Sequence, residues 1–133
     1  MIEKLSTSKV KDYLKTVIKD CNKWSIGSID YNQEKTIAVY ANRRNLEGIS
    51  KFKKLQSYDI APITLLLRWT KNYNTAETKA NEIYELLDCR SFFIDNYKCN
   101  IKSLYEGPID LGPDENGVYE FSVELNLLYR KGE

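Results

Sequence analysis

Apolar residues occupy every second position between residues 119 and 129. They are Tyr119, Phe121, Val123, Leu125, Leu127 and Tyr129. The residues between them include Glu120, Ser122, Glu124 and Asn126. Because successive side chains of a strand point to opposite faces of the sheet, this period predicts one long strand with a buried face and a polar face. A strand of this length is typical of the centre of a sheet or of a long hairpin.

Two other segments have the period of an α-helix. The first helix is predicted to begin after a cap at Ser6 or Ser8 and to end near Cys21. Its apolar stripe comprises Val10, Leu14, Val17, Ile18 and Cys21. The second is predicted to begin after a cap at Asn74 or Thr75 and to end near Cys89. One face of it carries Ala76, Ala80, Ile83 and Leu87. Both patterns indicate helices packed on a core by one side.

Apolar runs outside the helices predict the remaining strands. Residues 24–30 and 36–41 are separated by five residues, which predicts a β-hairpin. Residues 63–69, which follow Pro62, are almost continuously apolar and predict a strand buried on both faces. Two more strands are predicted near residues 92–94 and 98–106.

The order of these elements predicts an α+β fold, a mainly antiparallel β-sheet flanked by two principal helices. Residues 1–133 are expected to form a single domain. The connection from Gly107 to Gly117 contains two Gly-Pro pairs and an Asn-Gly pair, so it is predicted to be a loop.

Composition argues against catalysis. The chain contains no histidine, and its three cysteines lack C-x-x-C spacing, so neither a disulfide framework nor a zinc cage is indicated. Without histidine the commonest general base is missing. We therefore expect no catalytic residues, no cofactor and no metal site. The charged start of the chain does not resemble a signal peptide, and no apolar run is long enough for a membrane span, which predicts a soluble cytoplasmic protein.

A basic segment between residues 43 and 54 is the first candidate interaction site. Its cations are Arg43, Arg44, Lys51, Lys53 and Lys54. Five positive charges with few apolar anchors are costly to bury, so we expect the segment to be exposed, with Arg43 and Arg44 in contact with a partner or with DNA. One alternative is a small nucleic-acid-binding module, although a net charge of +1 limits its electrostatic reach. A solvated loop without a partner is the other.

The Gly107–Gly117 connection is the second candidate site. It carries Asp110, Asp114 and Glu115 and no basic residue. We expect it to project from the sheet into an intermolecular contact, with Ile109 and Leu111 as small apolar anchors. Core packing of the two anchors against the second helix is the competing interpretation. A small carboxylate enzyme is a third possibility, and a soluble loop explains the same residues more simply.

Two segments resemble a known family. They are Arg68-Trp69-Thr70-Lys71-Asn72-Tyr73-Asn74, leading into the second helix, and Gly107-Pro108-Ile109-Asp110-Leu111-Gly112 with Gly117-Val118-Tyr119, leading into the last strand. Both resemble the minor capsid, or tail terminator, proteins of tailed bacteriophages of Gram-positive hosts. The resemblance covers most of residues 60 to 130 and leaves room for another tail or prophage component.

The resemblance implies a tail-terminator-like α+β fold and a structural role in the virion, with assembly in the cytoplasm of the bacterial host. Such proteins form a homo-oligomeric ring, of six copies, at the head-proximal end of the tail. The ring ends polymerisation of the tail tube and contacts the head-completion or connector proteins, and the sheath protein where the tail contracts. No membrane and no sequence-specific nucleic acid is implied.

Charge is distributed unevenly along the chain. The first 54 residues carry 12 basic and 6 acidic side chains, and the remaining 79 carry 8 and 13. A near-neutral protein with opposite poles suits head-to-tail contacts, which close into rings when the rotation between copies permits. We therefore expect salt-sensitive self-association.

Overall fold

The computed structural model describes residues 5–42 and 59–131, which form two α-helices and seven strands. In chain order the elements are α1 (Thr7–Val17), β1 (Lys23–Ile26), β2 (Thr36–Ala41), β3 (Asp59–Arg68), α2 (Tyr73–Leu87), β4 (Ser91–Ile94), β5 (Tyr97–Ser103), β6 (Ile109–Pro113) and β7 (Tyr119–Lys131). The strands form one sheet in the order β1-β2-β3-β7-β5-β4, and β6 also pairs with β7. Four of these neighbouring pairs on the main path are antiparallel, as is β6 with β7. The predicted α+β fold, a mainly antiparallel sheet flanked by two helices, is confirmed.

The core lies between the helices and one face of the sheet, which we call the inner face. Strand β7 contributes the alternate residues from Phe121 to Tyr129, each at most 4% exposed. Helix α1 contributes Val10 and Leu14, and α2 contributes the four residues predicted from its period. Helix α1 contacts β1 and β2 near one end of the strand order and β4 at the other, so the sheet curls around the helices. The opposite, outer face carries the polar residues of β7.

Both helices are bounded by local hydrogen bonds that refine the predicted ends. The Ser6 side chain accepts a hydrogen bond from the Lys9 amide, which caps α1 as expected. The helix ends at Val17, four residues earlier than predicted, and Asp20 beyond it has a positive φ of 66°. Helix α2 is capped by Asn72, whose side chain accepts from the Thr75 amide, so the predicted caps at Asn74 and Thr75 are wrong.

The predicted hairpin over residues 24–41 is wrong, because β1 and β2 pair in parallel. Strand β1 ends at Ile26, and the chain turns at Gly27, whose φ of +78° favours glycine. Residues 27–35 then return across the outer face over β2. The Thr36 hydroxyl donates to the Asp30 carbonyl there, at 3.3 Å. A five-residue spacing could not reveal this return path.

Strand β3 is longer than predicted and less buried. It begins at Asp59 and includes Pro62 instead of starting after it. Ile63, Leu65 and Leu67 are buried on the inner face, at most 2% exposed. Thr64 and Leu66, on the outer face, are half-buried, so burial on both faces is only partly confirmed.

The connection predicted as a loop contains strand β6. Residues Ile109–Pro113 pair with β7, with a register shift between Asp110 and Gly112. A tight turn from Asp114 to Gly117 closes the hairpin, since the Gly117 amide donates to the Asp114 carbonyl at 3.0 Å. Gly117 has a φ of +80°, a backbone conformation that the turn needs at this position and that glycine readily adopts. Only the ends of the segment are therefore loop.

Candidate functional site

The open edge of β6 presents an acidic and apolar surface. Among the described strands β6 pairs only with β7, so its other side is unpaired. We call this surface the acidic edge and define it by Leu104, Tyr105, Glu106, Asp110, Leu111 and Glu115, all of them exposed. Tyr105 and Leu111 are 54% and 51% exposed, which is high for large apolar side chains in a folded chain. Unpaired strand edges with apolar side chains are sites where other chains pair or dock.

Helix α2 holds the acidic edge in place. The Tyr73 hydroxyl lies 2.8 Å from Asp110 Oδ2 and 3.0 Å from Glu77 Oε2, and its single proton serves one of them at a time. The hydrogen bond to Asp110, and then that to Glu77, raises the pKa of Tyr73. Nearer the end of the helix, the Tyr84 hydroxyl donates to the Tyr105 carbonyl at 2.9 Å. The edge is therefore anchored to a helix at two points.

Asp114 differs from the other predicted site residues because its carboxylate points into the protein. Its side chain is 9% exposed and accepts from Arg68 Nε at 2.5 Å. Its other oxygen accepts from the amides of Asn116 and Val118, at 2.8 and 3.0 Å. Burial raises the pKa of Asp114, but these hydrogen bonds, with that from Arg68 the strongest, lower it overall. The residue therefore fixes the β6–β7 turn.

Arg68 is the centre of a buried polar cluster at one end of the outer face. It is 2% exposed, and it donates to the Gln33 carbonyl at 2.9 Å as well as to Asp114. Its guanidinium also lies 5.3 Å from the ring centre of Tyr31. Glu120 lies directly opposite Arg68 in the β3–β7 register. Burial, followed by repulsion from Asp114, raises the pKa of Glu120, against the attraction of Arg68.

Glu120 leaves one polar atom of this cluster unsatisfied. Its Oε2 is buried and has no hydrogen-bond partner in the part of the chain that the structure describes. An unpaired buried oxygen costs more when it is charged, which is the physical cause of the raised pKa. The cluster joins the 27–35 return, β3 and the β6–β7 hairpin.

The far end of the outer face carries a group of cations. Lys98 of β5 lies directly opposite Arg130 of β7, and Lys102 follows on the same face of β5. These three line a groove of about 430 Å³ whose floor includes Leu128. Phe93 of β4 lies opposite Lys98 on this face and is 64% exposed. We call this surface the basic face and define it by Phe93, Lys98, Lys102, Leu128 and Arg130.

The three cations of the basic face have no acidic partner within residues 5–42 and 59–131. The ion pairs formed by the lysines and arginines of those ranges involve other residues. Like charges placed directly opposite each other in neighbouring strands are destabilising. Among the described residues, the basic face is therefore a surface whose positive charge is not balanced by a neighbouring carboxylate.

The structure brings together only part of the predicted site. Asp110, Leu111 and Glu115 lie on the acidic edge, and Ile109 is half-buried at its start. The basic segment with Arg43, Arg44, Lys51, Lys53 and Lys54 lies outside the described residues. Sequence reasoning missed the basic face, because Lys98 and Arg130 are far apart in sequence and meet only through strand pairing. The alternation of Lys98 and Lys102 about Asn100 was the one available signal.

The described residues offer neither a metal site nor a membrane-spanning helix. No group of three His, Cys, Asp or Glu side chains is placed there to hold a metal ion. Neither described helix has the length and apolar character required to cross a membrane.

The described residues form an α+β fold that carries two surfaces of opposite charge. The family model of bacteriophage tail terminator proteins matches residues 11–131. The chain therefore belongs to the bacteriophage tail terminator family, as the sequence motifs predicted. Neither the curated proteins nor the solved structures include a significant match to it. The family is one of structural components of the phage tail, not of enzymes, and membership implies association with other tail components in the virion.

Proposed function

We propose that this protein forms a ring at the head-proximal end of the phage tail, ends polymerisation of the tail tube and joins the tail to the head-completion proteins. Family membership supports the place in the tail. The observation that supports the ring is that the described residues present two surfaces of opposite charge, the acidic edge and the basic face. A head-to-tail ring of identical copies needs two different surfaces that fit each other, and opposite charge is one way to provide them.

The two surfaces lie in different directions on the molecule. The basic face is on the outer face of the sheet, whereas the acidic edge lies along its unpaired border. A contact between unlike surfaces is heterologous, so each added copy leaves one surface of each kind free. Such an array grows until it closes, and the resemblance to tail terminators suggests closure at six copies.

The proposed partners follow from this arrangement. One rim of the ring contacts the tail tube protein, the other contacts the head-completion or connector protein, and the sheath protein joins where the tail contracts. Assembly takes place in the cytoplasm of the bacterial host. None of these contacts requires a cofactor or a reactive group.

Electron microscopy of particles assembled without this protein tests the proposal. We expect tails of uncontrolled length that carry no head, because nothing stops the tube or connects it. Supplying the wild-type chain from a separate gene should restore tails of uniform length joined to heads. Uniform tails attached to heads in the absence of the protein would contradict the proposed function.

A further inference from the structure

The acidic edge and the basic face are complementary in both charge and apolar content. The acidic edge combines three exposed carboxylates with Leu104, Tyr105 and Leu111. The basic face combines three cations with Phe93, which is 64% exposed, and with the Leu128 floor of the groove. Protein interfaces typically place exposed aromatic anchors within a polar rim. The carboxylates of the acidic edge can therefore pair with the cations of the basic face, and the apolar side chains of the two surfaces can pack together.

The basic face is under electrostatic strain that an acidic partner would relieve. Lys98 and Arg130 are opposed across two paired strands, and the described residues place no carboxylate beside them. At the other end of the same face, Arg68 has its carboxylate within the chain, at 2.5 Å. Within the described residues, Arg68 is thus paired with a carboxylate, whereas Arg130 has no acidic partner and can bind an external one.

The acidic edge is suited to reach such a groove. Strand β6 is an edge strand, so its outward side is not covered by another described strand. Glu106 and Glu115 flank β6 at its two ends, and both are exposed. Tyr73 and Tyr84 hold the edge against α2, which reduces the entropy lost when it docks.

We propose that the acidic edge of one copy docks on the basic face of the next copy, and that this contact is the repeating interface of the ring. The partner is a second copy of this chain because its own surface carries the complementary charges. The inference rests on the proposed function for the ring itself and adds which surfaces form it. The contact weakens with salt, since the screening length falls from about 30 Å at 0.01 M to about 8 Å at 0.15 M.

Charge reversal of each surface tests the docking in the full chain. A face variant carries Lys98→Glu, Lys102→Glu and Arg130→Glu, and an edge variant carries Glu106→Lys and Glu115→Lys. Each variant alone has two surfaces of the same sign. By sedimentation velocity at low salt, we expect the concentration needed for half-assembly to rise about tenfold or more for each variant. Circular dichroism and thermal unfolding confirm that each variant is folded.

The decisive experiment restores the attraction between the two surfaces by combining the reversed charges. An equimolar mixture of the two variants pairs every reversed face with a reversed edge and every native edge with a native face. We expect closed assemblies from this mixture, and also from a single chain that carries all five substitutions. A control carries Lys15→Glu, on the exposed side of α1, and Lys19→Glu, at an exposed position just after the helix, and it should assemble like the wild type.

Three results overturn the docking. They are wild-type chains that stay monomeric at low salt, variants that assemble normally alone, and a mixture that does not assemble. If the face variant loses binding to a DNA duplex while its assembly is unchanged, the basic face serves nucleic acid instead. Normal control of tail length in particles built with the face variant would reject this interface and leave the proposed function standing. Normal tails without the protein would reject the function itself.

Discussion

The outer face of the sheet has an arginine near each end, and their surroundings differ. Arg68 is 2% exposed, with a carboxylate, a carbonyl and an aromatic ring around its guanidinium. Arg130 is exposed, lies opposite Lys98, and has no acidic partner in the described ranges. Residues 27–35 cover the first of these ends.

The two ends of the sheet therefore serve different purposes: one contributes to the stability of the chain and the other to its association with other molecules. A buried charge must be paired inside the chain, because removing one partner leaves the other uncompensated in a low dielectric. An exposed charge contributes little to folding and is available to another molecule. We therefore expect substitutions at the Arg68 end to change the free energy of unfolding and substitutions at the Arg130 end to change assembly.

The largest expected effect is that of Arg68→Met. This substitution leaves Asp114 and Glu120 as buried carboxylates without their cation, so we expect a loss of about 3–5 kcal/mol in the free energy of unfolding. Urea denaturation measures the change, and Arg130→Met is the matched control, expected to lie within about 0.5 kcal/mol of the wild type. Equal losses for the two variants would show that Arg68 and Arg130 contribute alike to the stability of the chain.

Replacing Glu120 by glutamine is expected to change the free energy of unfolding by less, and this change depends on pH. Because the pKa of Glu120 is raised in the folded chain, ionisation of this residue opposes folding. The penalty is absent at pH values below the pKa of the unfolded chain and is complete above the folded pKa. We therefore expect Glu120→Gln to stabilise the protein at neutral pH and to lose this advantage as the pH falls through the range in which glutamate titrates.

Urea denaturation at a series of pH values measures this dependence. Glu85→Gln, at an exposed position of α2, is the control and should show no comparable gain at neutral pH. A Glu120→Gln variant that is destabilised at neutral pH would show that the Glu120 carboxylate contributes to the cluster as an anion.

The smallest expected effect is at the basic face. Arg130→Glu turns the opposed like charges into an opposed ion pair, which we expect to stabilise the chain by about 0.2–1 kcal/mol. Adding Lys98→Glu restores like charges and should return the stability close to that of the wild type. Thermal unfolding of the four chains of this double-mutant cycle gives the coupling between the two positions. A coupling of zero would mean that Lys98 and Arg130 do not interact.

Local periodicity predicted the elements whose burial follows one face. The alternation in β7 and the 3.6-residue spacing of Ala76, Ala80 and Ile83 both placed residues in the core correctly, because their partners all lie on one side. The family was also predicted, since its motifs are contiguous in sequence. Features set by neighbouring residues could therefore be found without a structure.

Features set by residues that are distant in sequence could not be found without a structure. The parallel pairing of β1 and β2 depends on the turn at Gly27 and on bonds from residues 27–35 to the outer face. Strand β6 was hidden by its glycines and prolines, which indicate a loop unless β7 is known to lie alongside. Asp114 was predicted at the surface, but its partner Arg68 is 46 positions away in sequence. The basic face likewise exists only through pairing of β5 with β7.

Lysine labelling of assembled tails tests whether the basic face is used for association. An acetylating reagent followed by mass spectrometry compares each lysine in the isolated chain with the same lysine in the particle. We predict that Lys98 and Lys102 become protected on assembly, whereas the exposed Lys15 of α1 and the exposed Lys19 just after it keep their reactivity. If Lys98 and Lys102 remain as reactive in the particle as in the isolated chain, the basic face is not used for association.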